Sequence, residues 1–452
     1  MTTLYCADWI IPMSSAPVAD GAIAVDGSQI VGVGKRASLV ARFHDARAQD
    51  FGEAAIIPGL VNTHSHLELT ALRGFLEDVE GNFLAWLMKL TLARQYHMTP
   101  DDLYVSAAWG AVEAARAGVT CMADAGDAAI TNMRALRDVG FRGIVHQESF
   151  GPDPALAHDQ LEKLKEKVGQ LRELETELVK AGVSPHAPYS VCARQLELVT
   201  DYALAQKLPL TIHASESEAE ELFMFEGTGP FAEALALRGI EWKAPGISTI
   251  QYLQQHGVMR ARPLLAHCVR VNEKDLEIIK AEDARIAHCP KSNAKLGHGS
   301  ASYTGFLRHE IRTGFGSDSV ASNNTCDIMD EARTALTISR ARGDVIGDDE
   351  MVKAEQALLT ATAGGARALG LENRIGTLDE GMQADFAAIA LARAHQLPIY
   401  DPINTLIHST SGRDVLLTVV AGREIFKEGR VQTIDEDRLR ARIREIGGRI
   451  KA

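Results

Sequence analysis

Eight short apolar runs, separated by helical segments, constrain the fold of this chain more than any other feature of its sequence. The runs lie within residues 54–60, 119–124, 142–147, 182–186, 209–213, 263–267, 285–288 and 312–318. The segments between them, such as residues 101–118 and 155–180, have apolar residues at helical spacing. Eight strand–helix repeats predict an α/β fold, a closed (β/α)8 TIM-type barrel rather than an open sheet.

Strand-like segments of a different kind occupy the two ends of the chain. Residues 22–25 and 29–33 flank Asp26-Gly27, a pair typical of a hairpin turn, and further strands are predicted at 385–390, 415–421 and 423–426. The simplest arrangement joins residues 1–57 and 370–435 in one small β-sandwich domain, with the barrel of residues 58–369 inserted between its halves. Residues 436–452 are predicted to form a charged C-terminal helix.

Charge and composition exclude several classes of partner. The net charge is -13 and no long basic block occurs, which argues against nucleic acid or an anionic membrane as a partner. Six cysteines without a C-x-x-C pair are typical of free thiols in a reducing compartment. No apolar run reaches the ~20 residues of a membrane span, and no signal peptide is recognised, so a cytoplasmic protein is expected.

Side chains that can bind a metal ion or transfer a proton lie at the C-terminal ends of the predicted strands. They are His64, His66, His186, His213, His267, His288 and Asp318. That end of a (β/α)8 barrel carries the active site in characterised enzymes. His64 and His66 are two residues apart, so on a strand both imidazoles project from one face and can bind one metal ion.

A carboxylate close to a histidine ligand suits metal-assisted hydrolysis. Glu216 follows His213 by three residues and could move a proton while a metal ion activates water. The alternative is that Glu216 only favours the start of a helix, as neighbouring glutamates do. Asp318 could be a fourth ligand, or merely a turn residue. His267 could hydrogen-bond the water, whereas a structural role is at least as favoured for His288.

Six motifs in this order resemble those of one superfamily. They are Pro-Gly-Leu-Val-Asn-Thr-His-Ser-His, His-Ala-Pro-Tyr, His-Ala-Ser-Glu, Ala-His-Cys-Val, His-Cys-Pro-Lys-Ser-Asn and Gly-Ser-Asp-Ser-x-x-Ser-Asn-Asn. Together they look like the amidohydrolase superfamily. Within it they resemble the branch of S-adenosylhomocysteine and methylthioadenosine deaminases, aminodeoxyfutalosine deaminases and triazine chlorohydrolases.

The resemblance implies a role for each matching residue. It implies that one divalent ion, zinc or alternatively iron, is held by His64, His66, His213 and Asp318. It further implies that Glu216 is the proton shuttle, that His267 assists at the water and the leaving group, with Asp318 as a further proton acceptor, and that His186 lies beside the substrate.

The same resemblance implies a hydrolytic deaminase of a 6-aminopurine nucleoside derivative. S-Adenosylhomocysteine, methylthioadenosine, adenosine and aminodeoxyfutalosine are the candidate substrates. Alternatives are a chlorohydrolase or deaminase of a triazine, a deaminase of a free base such as guanine or cytosine, and a silent binding protein. A homo-oligomer, dimer or tetramer, is expected from the family.

Further substrate contacts are predicted where this chain matches, or differs from, residues that members of the branch use to bind substrates. Glu68, in His-Leu-Glu, is closer to the aminodeoxyfutalosine deaminases. Trp86 matches a tryptophan that nucleoside deaminases follow nine residues later with a glutamate for the ribose hydroxyls, where this chain has Gln95. Arg94 could bind a substrate carboxylate, or lie solvated on a helix. Arg142 matches one of the two arginines with which the family binds a homocysteine carboxylate. Ser319 is the last predicted contact.

Overall fold

The computed structural model describes residues 2–347 and 350–451. The strands are β1 (Thr3–Ile10), β2 (Val18–Asp26), β3 (Gln29–Lys35), β4 (Arg47–Asp50), β5 (Ala54–Pro58), β6 (Leu60–Ser65), β7 (Val119–Gly126), β8 (Arg142–Ser149), β9 (Val179–Pro185), β10 (Thr211–Ala214), β11 (Leu264–His267), β12 (Arg285–His288), β13 (Thr313–Phe315), β14 (Phe386–Ala390), β15 (Val415–Val420), β16 (Arg423–Lys427) and β17 (Arg430–Val431).

The helices alternate with the strands over the middle of the chain. They are α1 (Arg36–Arg42), α2 (Phe83–His97), α3 (Pro100–Arg116), α4 (Ala129–Val139), α5 (Ala157–Glu173), α6 (Ala193–Gln206), α7 (Glu218–Phe225), α8 (Gly229–Leu237), α9 (Thr249–Gln255), α10 (Glu273–Ala281), α11 (Pro290–Lys295), α12 (Tyr303–Arg308), α13 (Val320–Asn323), α14 (Ile328–Ala341), α15 (Ala354–Leu359), α16 (Gly365–Ala368), α17 (Pro402–Ser409) and α18 (Glu436–Lys451). Within the described residues, no helix is both long and apolar enough to cross a bilayer.

The predicted barrel is confirmed. Strands β6 to β9 and β10 to β13 form two parallel four-stranded sheets in chain order. Main-chain hydrogen bonds join the two sheets on both sides, from Val183 N to Pro209 O at 2.9 Å and from Asp318 N to His64 O at 2.9 Å. The C-terminal ends of all eight strands therefore surround one opening.

The small β-sandwich domain is also built from both chain ends, as predicted. Its nine strands are hydrogen-bonded in one sheet, in the order β17-β16-β15-β14-β5-β1-β2-β3, with β4 paired to β1. The predicted hairpin is β2 and β3, and Gly27 at its turn has a φ of +58°. Tyr5, Ile23, Phe386 and Leu417 are in its buried core.

The sequence suggested that the apolar run before the two histidines is one strand, but the structure divides it into two. It divides at Gly59, because β5 pairs with β1 and β14 in the small domain whereas β6 begins the barrel. A Cβ atom on Gly59 would lie 2.0 Å from Thr120 Oγ1, so only glycine allows this close crossing between the two domains.

Arg142 is not placed to contact a substrate, contrary to the prediction from the sequence. It begins β8, at the end of the barrel opposite the strand termini that carry the histidines. Its guanidinium is buried and donates to both carboxylate oxygens of Asp385, at 2.8 and 3.0 Å. Asp385 directly precedes β14, so this ion pair joins the barrel to the small domain.

The charged C-terminal helix packs on the barrel rather than remaining fully solvated. Leu439, Ile446 and Ile450 of α18 are buried. Arg449 Nη2 lies 2.7 Å from Asp102 Oδ1 of α3, which begins with a capping box between Thr99 and Asp102. The helix thereby covers the outer surface of the first part of the barrel.

Candidate active site

A cavity of about 650 Å³ opens at the C-terminal ends of the barrel strands. Its floor includes His66, His213 and Asp318, which lie one residue after β6, within β10 and three residues after β13. Helix α2, which follows β6, forms one wall through Trp86 and Arg94. The strand ends predicted from the sequence therefore do meet in one place.

Three imidazoles converge at the floor. His66 Nε2 and His213 Nε2 lie 3.2 Å apart, and one ring nitrogen of His64 lies within 4.8 Å of one of each. His213 Nδ1 donates to the carbonyl of His186 at 2.8 Å, which leaves a lone pair on Nε2. His64 Nε2 is buried and has no hydrogen-bond partner.

Asp318 presents one carboxylate oxygen to these imidazoles and has the other bound by hydroxyls. Asp318 Oδ1 lies 3.5 Å from Nε2 of both His64 and His66. Oδ2 accepts hydrogen bonds from Ser292 Oγ at 2.5 Å and Ser322 Oγ at 2.9 Å. These hydroxyls fix the orientation of the carboxylate and leave Oδ1 available as a ligand.

The donor set fits a single divalent metal ion. Lone pairs on His66 and His213 that face each other at 3.2 Å repel unless a cation or a proton lies between them. The buried His64 Nε2 without a partner would otherwise cost free energy. Three imidazole nitrogens and one carboxylate oxygen suit zinc or iron, and water can complete the coordination.

Glu216 lies beside this cluster and faces two further histidines. Glu216 Oε1 lies 3.7 Å from His267 Nε2 and 3.5 Å from His298 Nε2. His267 Nδ1–H donates to Asn293 Oδ1 at 2.9 Å, which directs Nε2 towards Glu216. His267 and Asp318 have φ angles of +74° and +55°, so the backbone is held in a strained conformation where these side chains enter the cavity.

Electrostatics keep Glu216 in its ionised form. Burial alone would raise the pKa of Glu216, but the imidazoles of His267 and His298 outweigh burial and hold the pKa below its usual value. Burial likewise opposes the charged form of His267, whereas the carboxylates of Glu216 and Asp318 raise its pKa. A carboxylate beside an imidazole of raised pKa is an arrangement that can accept and return protons.

Aromatic side chains line the rest of the cavity. The rings of Tyr189 and Phe231 stack at 4.0 Å with an interplanar angle of 2°, and the ring of Phe83 lies 6.2 Å from that of Trp86. His186 Nδ1 is 2.7 Å from Ser190 Oγ, which itself donates to a main-chain carbonyl. The His186 Nδ1–H therefore donates to that hydroxyl, and Nε2 remains a hydrogen-bond acceptor. Such walls suit a flat heterocycle.

The structure brings most of the residues predicted at the site into the cavity wall. The predicted residues that line it are Glu216, His267, His186, Trp86, Glu68, Arg94 and Ser319. At its floor is the metal-type cluster, which consists of His64, His66, His213 and Asp318. Ser319 also caps α13 by accepting a hydrogen bond from Ala321 N at 3.0 Å. Gln95 does not line the cavity, which corrects its predicted role. It is exposed because it lies one residue, or about 100°, around α2 from Arg94.

Arg94 lines the cavity, but its guanidinium is already paired with two carboxylates of the protein. Arg94 Nε lies 2.8 Å from Glu68 Oε1, and its Nη2 lies 3.3 Å from Asp127 Oδ2. Glu68 is buried and also accepts hydrogen bonds from Ala128 N and Asn132. Arg94 is thus not a solvated helix residue. It could neutralise a substrate carboxylate only by losing its contacts with Glu68 and Asp127.

Sequence reasoning missed three polar residues of the cavity region. Asn293 lies in the His-Cys-Pro-Lys-Ser-Asn motif, so its place after a strand-end histidine was an available signal. His298 lies in a loop with no periodic signal, and its relation to Glu216 depends on tertiary structure. Glu148 is the next-to-last residue of β8 and lines the cavity, so its place at a strand end was an available signal.

His288 is outside the cavity wall, in agreement with the structural alternative for this residue. It is buried, and its ring packs against Tyr303 and Phe306 with centroids 5.7 and 5.8 Å away. Burial lowers the pKa of His288 to about 3, so the ring is neutral and part of the core.

Known proteins with similar sequences and structures span nearly the whole chain. A 5-methylthioadenosine/S-adenosylhomocysteine deaminase of Syntrophobacter fumaroxidans is 31% identical over 433 residues, which cover 95% of this chain and 94% of that protein. The crystal structure of an adenosine deaminase from Xanthomonas campestris with bound zinc has a TM-score of 0.86 and 26% identity, covering 99% of this chain and 98% of the other.

A third relative shares the fold at lower identity. Atrazine chlorohydrolase from Arthrobacter aurescens superposes with a TM-score of 0.85 and 22% identity, over 98% of this chain and 100% of that one. The model of the amidohydrolase family matches residues 55–425, which include the barrel and every residue of the metal-type cluster. On its motifs, its fold and this match, the chain belongs to the amidohydrolase family.

Proposed function

We propose that this protein is a mononuclear, metal-dependent aminohydrolase that removes the 6-amino group of a purine nucleoside derivative as ammonia. The observation that carries the proposal is the position of Glu216, ionised and 3.7 Å from His267, beside four converging ligand atoms. A deaminase needs a group at this point that both removes and returns protons. Relatives named as deaminases of adenosine-type nucleosides, at about 30% identity, support the substrate class.

His64, His66, His213 and Asp318 would hold the metal ion, which we propose is zinc. The adenosine deaminase from Xanthomonas campestris contains bound zinc, and imidazole and carboxylate ligands are compatible with it. When bound, such an ion lowers the pKa of a water molecule and so supplies a nucleophile at neutral pH. The catalytic work of the chain itself falls to the side chains around that water.

Proton transfer is assigned to Glu216. Its carboxylate accepts a proton from the attacking water, with Asp318 as the second acceptor, and donates it to the ring nitrogen next to the reacting carbon. His267 hydrogen-bonds the oxygen as it attacks and stabilises the charge that develops on it. A second proton passes to the amino group, which leaves as ammonia, and the carbonyl product remains.

The cavity wall is compatible with a purine nucleoside. The stacked aromatic rings suit the purine, and His186 Nε2 can contact its edge. Arg94, predicted to bind a carboxylate, is already engaged by Glu68 and Asp127. Because S-adenosylhomocysteine also carries a carboxylate, Arg94 does not rank the substrates, and we place methylthioadenosine, S-adenosylhomocysteine and adenosine ahead of aminodeoxyfutalosine, triazines and free bases on the names of the relatives.

The test is ammonia release from a panel of substrates by enzyme of measured metal content. The panel contains methylthioadenosine, S-adenosylhomocysteine, adenosine, aminodeoxyfutalosine, guanine, cytosine and a chlorotriazine. Release of ammonia from one or more of the purine nucleosides supports the proposal, provided that Glu216→Gln, prepared in parallel, abolishes it. Chloride release from the triazine alone, or deamination of a free base alone, would overturn it.

Two further properties belong to the same proposal. We place the protein in the cytoplasm, because its six cysteines are free and buried, as suits a reducing compartment. We also propose a homo-oligomer, a dimer or a tetramer. Light scattering during size-exclusion chromatography measures the molar mass and decides between these states and a monomer.

A further inference from the structure

Glu148 differs from other buried acids around the cavity because no hydrogen bond or ion pair to its carboxyl group is found in the described part of the chain. Its side chain is 8% exposed and lines the cavity, and its Oε1 has no hydrogen-bond partner. Over residues 2–347 and 350–451, no donor or cation pairs with either oxygen of this carboxyl group. A buried carboxyl group without partners costs free energy of folding, so its retention needs an explanation outside the free protein.

Neighbouring acids show how such groups are normally accommodated here. Glu68 accepts hydrogen bonds from Ala128 N and Asn132 and is paired with Arg94. Glu220 accepts from two main-chain amides and a threonine hydroxyl. Each of these carboxylates is satisfied from within the chain. Apart from Glu216 and Asp318, which are assigned to the reacting groups, Glu148 is therefore the acid of the described cavity lining whose hydrogen-bonding capacity is left for a ligand.

The cations near Glu148 do not neutralise it. Arg94 is taken by Glu68 at 2.8 Å, and Lys167 Nζ is taken by Asp127 Oδ1 at 2.6 Å. Burial, and then the charges of Glu68 and Asp127, raise the pKa of Glu148 well above its usual value. An anionic ligand group is thus disfavoured beside Glu148, whereas a group that donates hydrogen bonds is favoured.

The position of Glu148 specifies which part of a ligand it meets. One of its oxygens, one ring nitrogen of His186 and one of His213 lie within 4.8 Å of one another. His213 belongs to the metal-type floor, where the reacting carbon must lie, so Glu148 is next to the heterocycle rather than at the cavity mouth. In an adenosine-type nucleoside the 6-amino group is the leaving group at the floor, so the hydrogen-bond donors left for Glu148 nearest the heterocycle are the hydroxyls of the ribose, which is bonded to N9.

We propose that the carboxyl group of Glu148 binds the ribose hydroxyls of the substrate and selects ribonucleosides over analogues that lack them. The inference rests on the proposed nucleoside deaminase function. It assigns to the end of β8 the task that the sequence had suggested for Gln95, which points to solvent. Trp86, whose buried Nε1–H has no partner, lines the same cavity and supplies a donor to the same diol.

The experiment compares adenosine with 2′,3′-dideoxyadenosine in wild-type enzyme, Glu148→Gln and Gln95→Ala, each of measured zinc content. Wild-type enzyme should favour adenosine in kcat/KM by roughly 10- to 100-fold, the size of two lost hydrogen bonds from the ribose hydroxyls. Glu148→Gln should reduce that ratio to within about threefold, by lowering kcat/KM for adenosine and leaving the dideoxy analogue nearly unchanged. Gln95→Ala should keep the wild-type ratio.

Because the ratio is taken within one preparation, partial misfolding of a variant affects both nucleosides equally and does not alter it. An active wild-type enzyme with an unchanged ratio in Glu148→Gln overturns this inference alone. Equal losses on both nucleosides would place the contact on the base and also overturn it. A wild-type enzyme that deaminates no purine nucleoside overturns the proposed function, and this inference with it.

Discussion

Asp318 Oδ1 lies 3.5 Å from His64 Nε2, although Asp318 follows the last strand of the barrel and His64 lies in the first. The same pair is joined along the main chain, since Asp318 N donates to His64 O at 2.9 Å. Closure of the barrel and assembly of the metal-type cluster are thus one structural event. Gly316 allows it, because a Cβ atom there would lie 2.7 Å from the Cβ atom of His64.

Replacement of Glu216 by glutamine should lower kcat by about three orders of magnitude or more, because the amide cannot accept and return protons. The side chain keeps its shape, and it is not among the four predicted ligands. Zinc content by elemental analysis should therefore equal that of the wild type. A turnover close to that of the wild type would show that another group moves the protons.

His213→Ala should reduce bound metal sharply, because it removes one of three converging imidazoles. Inductively coupled plasma mass spectrometry of protein purified without added metal measures the stoichiometry. His97→Ala, which alters an exposed histidine at the end of α2, is the matched control and should retain full metal. An unchanged stoichiometry in His213→Ala would mean that the ligand set is wrong.

Asn293→Ala should lower kcat by roughly 10- to 100-fold while metal content stays unchanged, the usual effect of losing the residue that orients a catalytic imidazole. Asn293 Oδ1 lies 2.9 Å from His267 Nδ1 and selects the tautomer with Nε2 facing Glu216. Steady-state kinetics and the melting temperature should be measured together. A drop in stability with kcat unaffected would identify Asn293 as purely structural.

Arg142→Ala should destabilise the protein without changing its kinetics. The Arg142–Asp385 pair is almost completely buried, and removal of one partner of such a pair costs on the order of 3–5 kcal/mol. The melting temperature should fall by several degrees, and kcat/KM per folded enzyme should remain within twofold. Asp385→Ala should do the same, and the double variant should lose less than the sum. A selective rise in KM for Arg142→Ala would restore its predicted role in substrate binding.

Glu331→Gln should change the pH dependence of stability. Burial raises the pKa of Glu331 to about 8, above its usual value of 4.5, so the folded protein retains a proton that the unfolded chain releases. Stability contributed by this group is complete below pH 4.5 and is lost as the pH rises towards 8. The melting temperature of the wild type relative to Glu331→Gln should therefore fall between pH 5 and pH 8. A constant difference would contradict the raised pKa.

Local patterns predicted the elements of the fold well. The eight barrel strands follow from apolar runs bounded by turn residues, and the β2–β3 hairpin follows from Asp26-Gly27. Those signals depend on neighbours in the sequence, which the chain carries with it. The division of the first run at Gly59 was missed because both halves are apolar, and only the pairing of β5 with β1 and β14 separates them.

The sequence by itself determined which strand ends carry histidine and carboxylate, and thereby the family and the chemistry of the cavity floor. Tertiary structure alone decided which side chains face the cavity above it. A helix turns by about 100° per residue, so the choice between Arg94 and Gln95 depends on how α2 packs against the barrel. Arg142 has the residue type of a substrate contact but lies at the opposite end of β8 and pairs with Asp385, more than 200 residues away in the chain. The position of Glu148 at a strand end can be read from the sequence, but the absence of a partner for its carboxyl group is a property only of the folded chain.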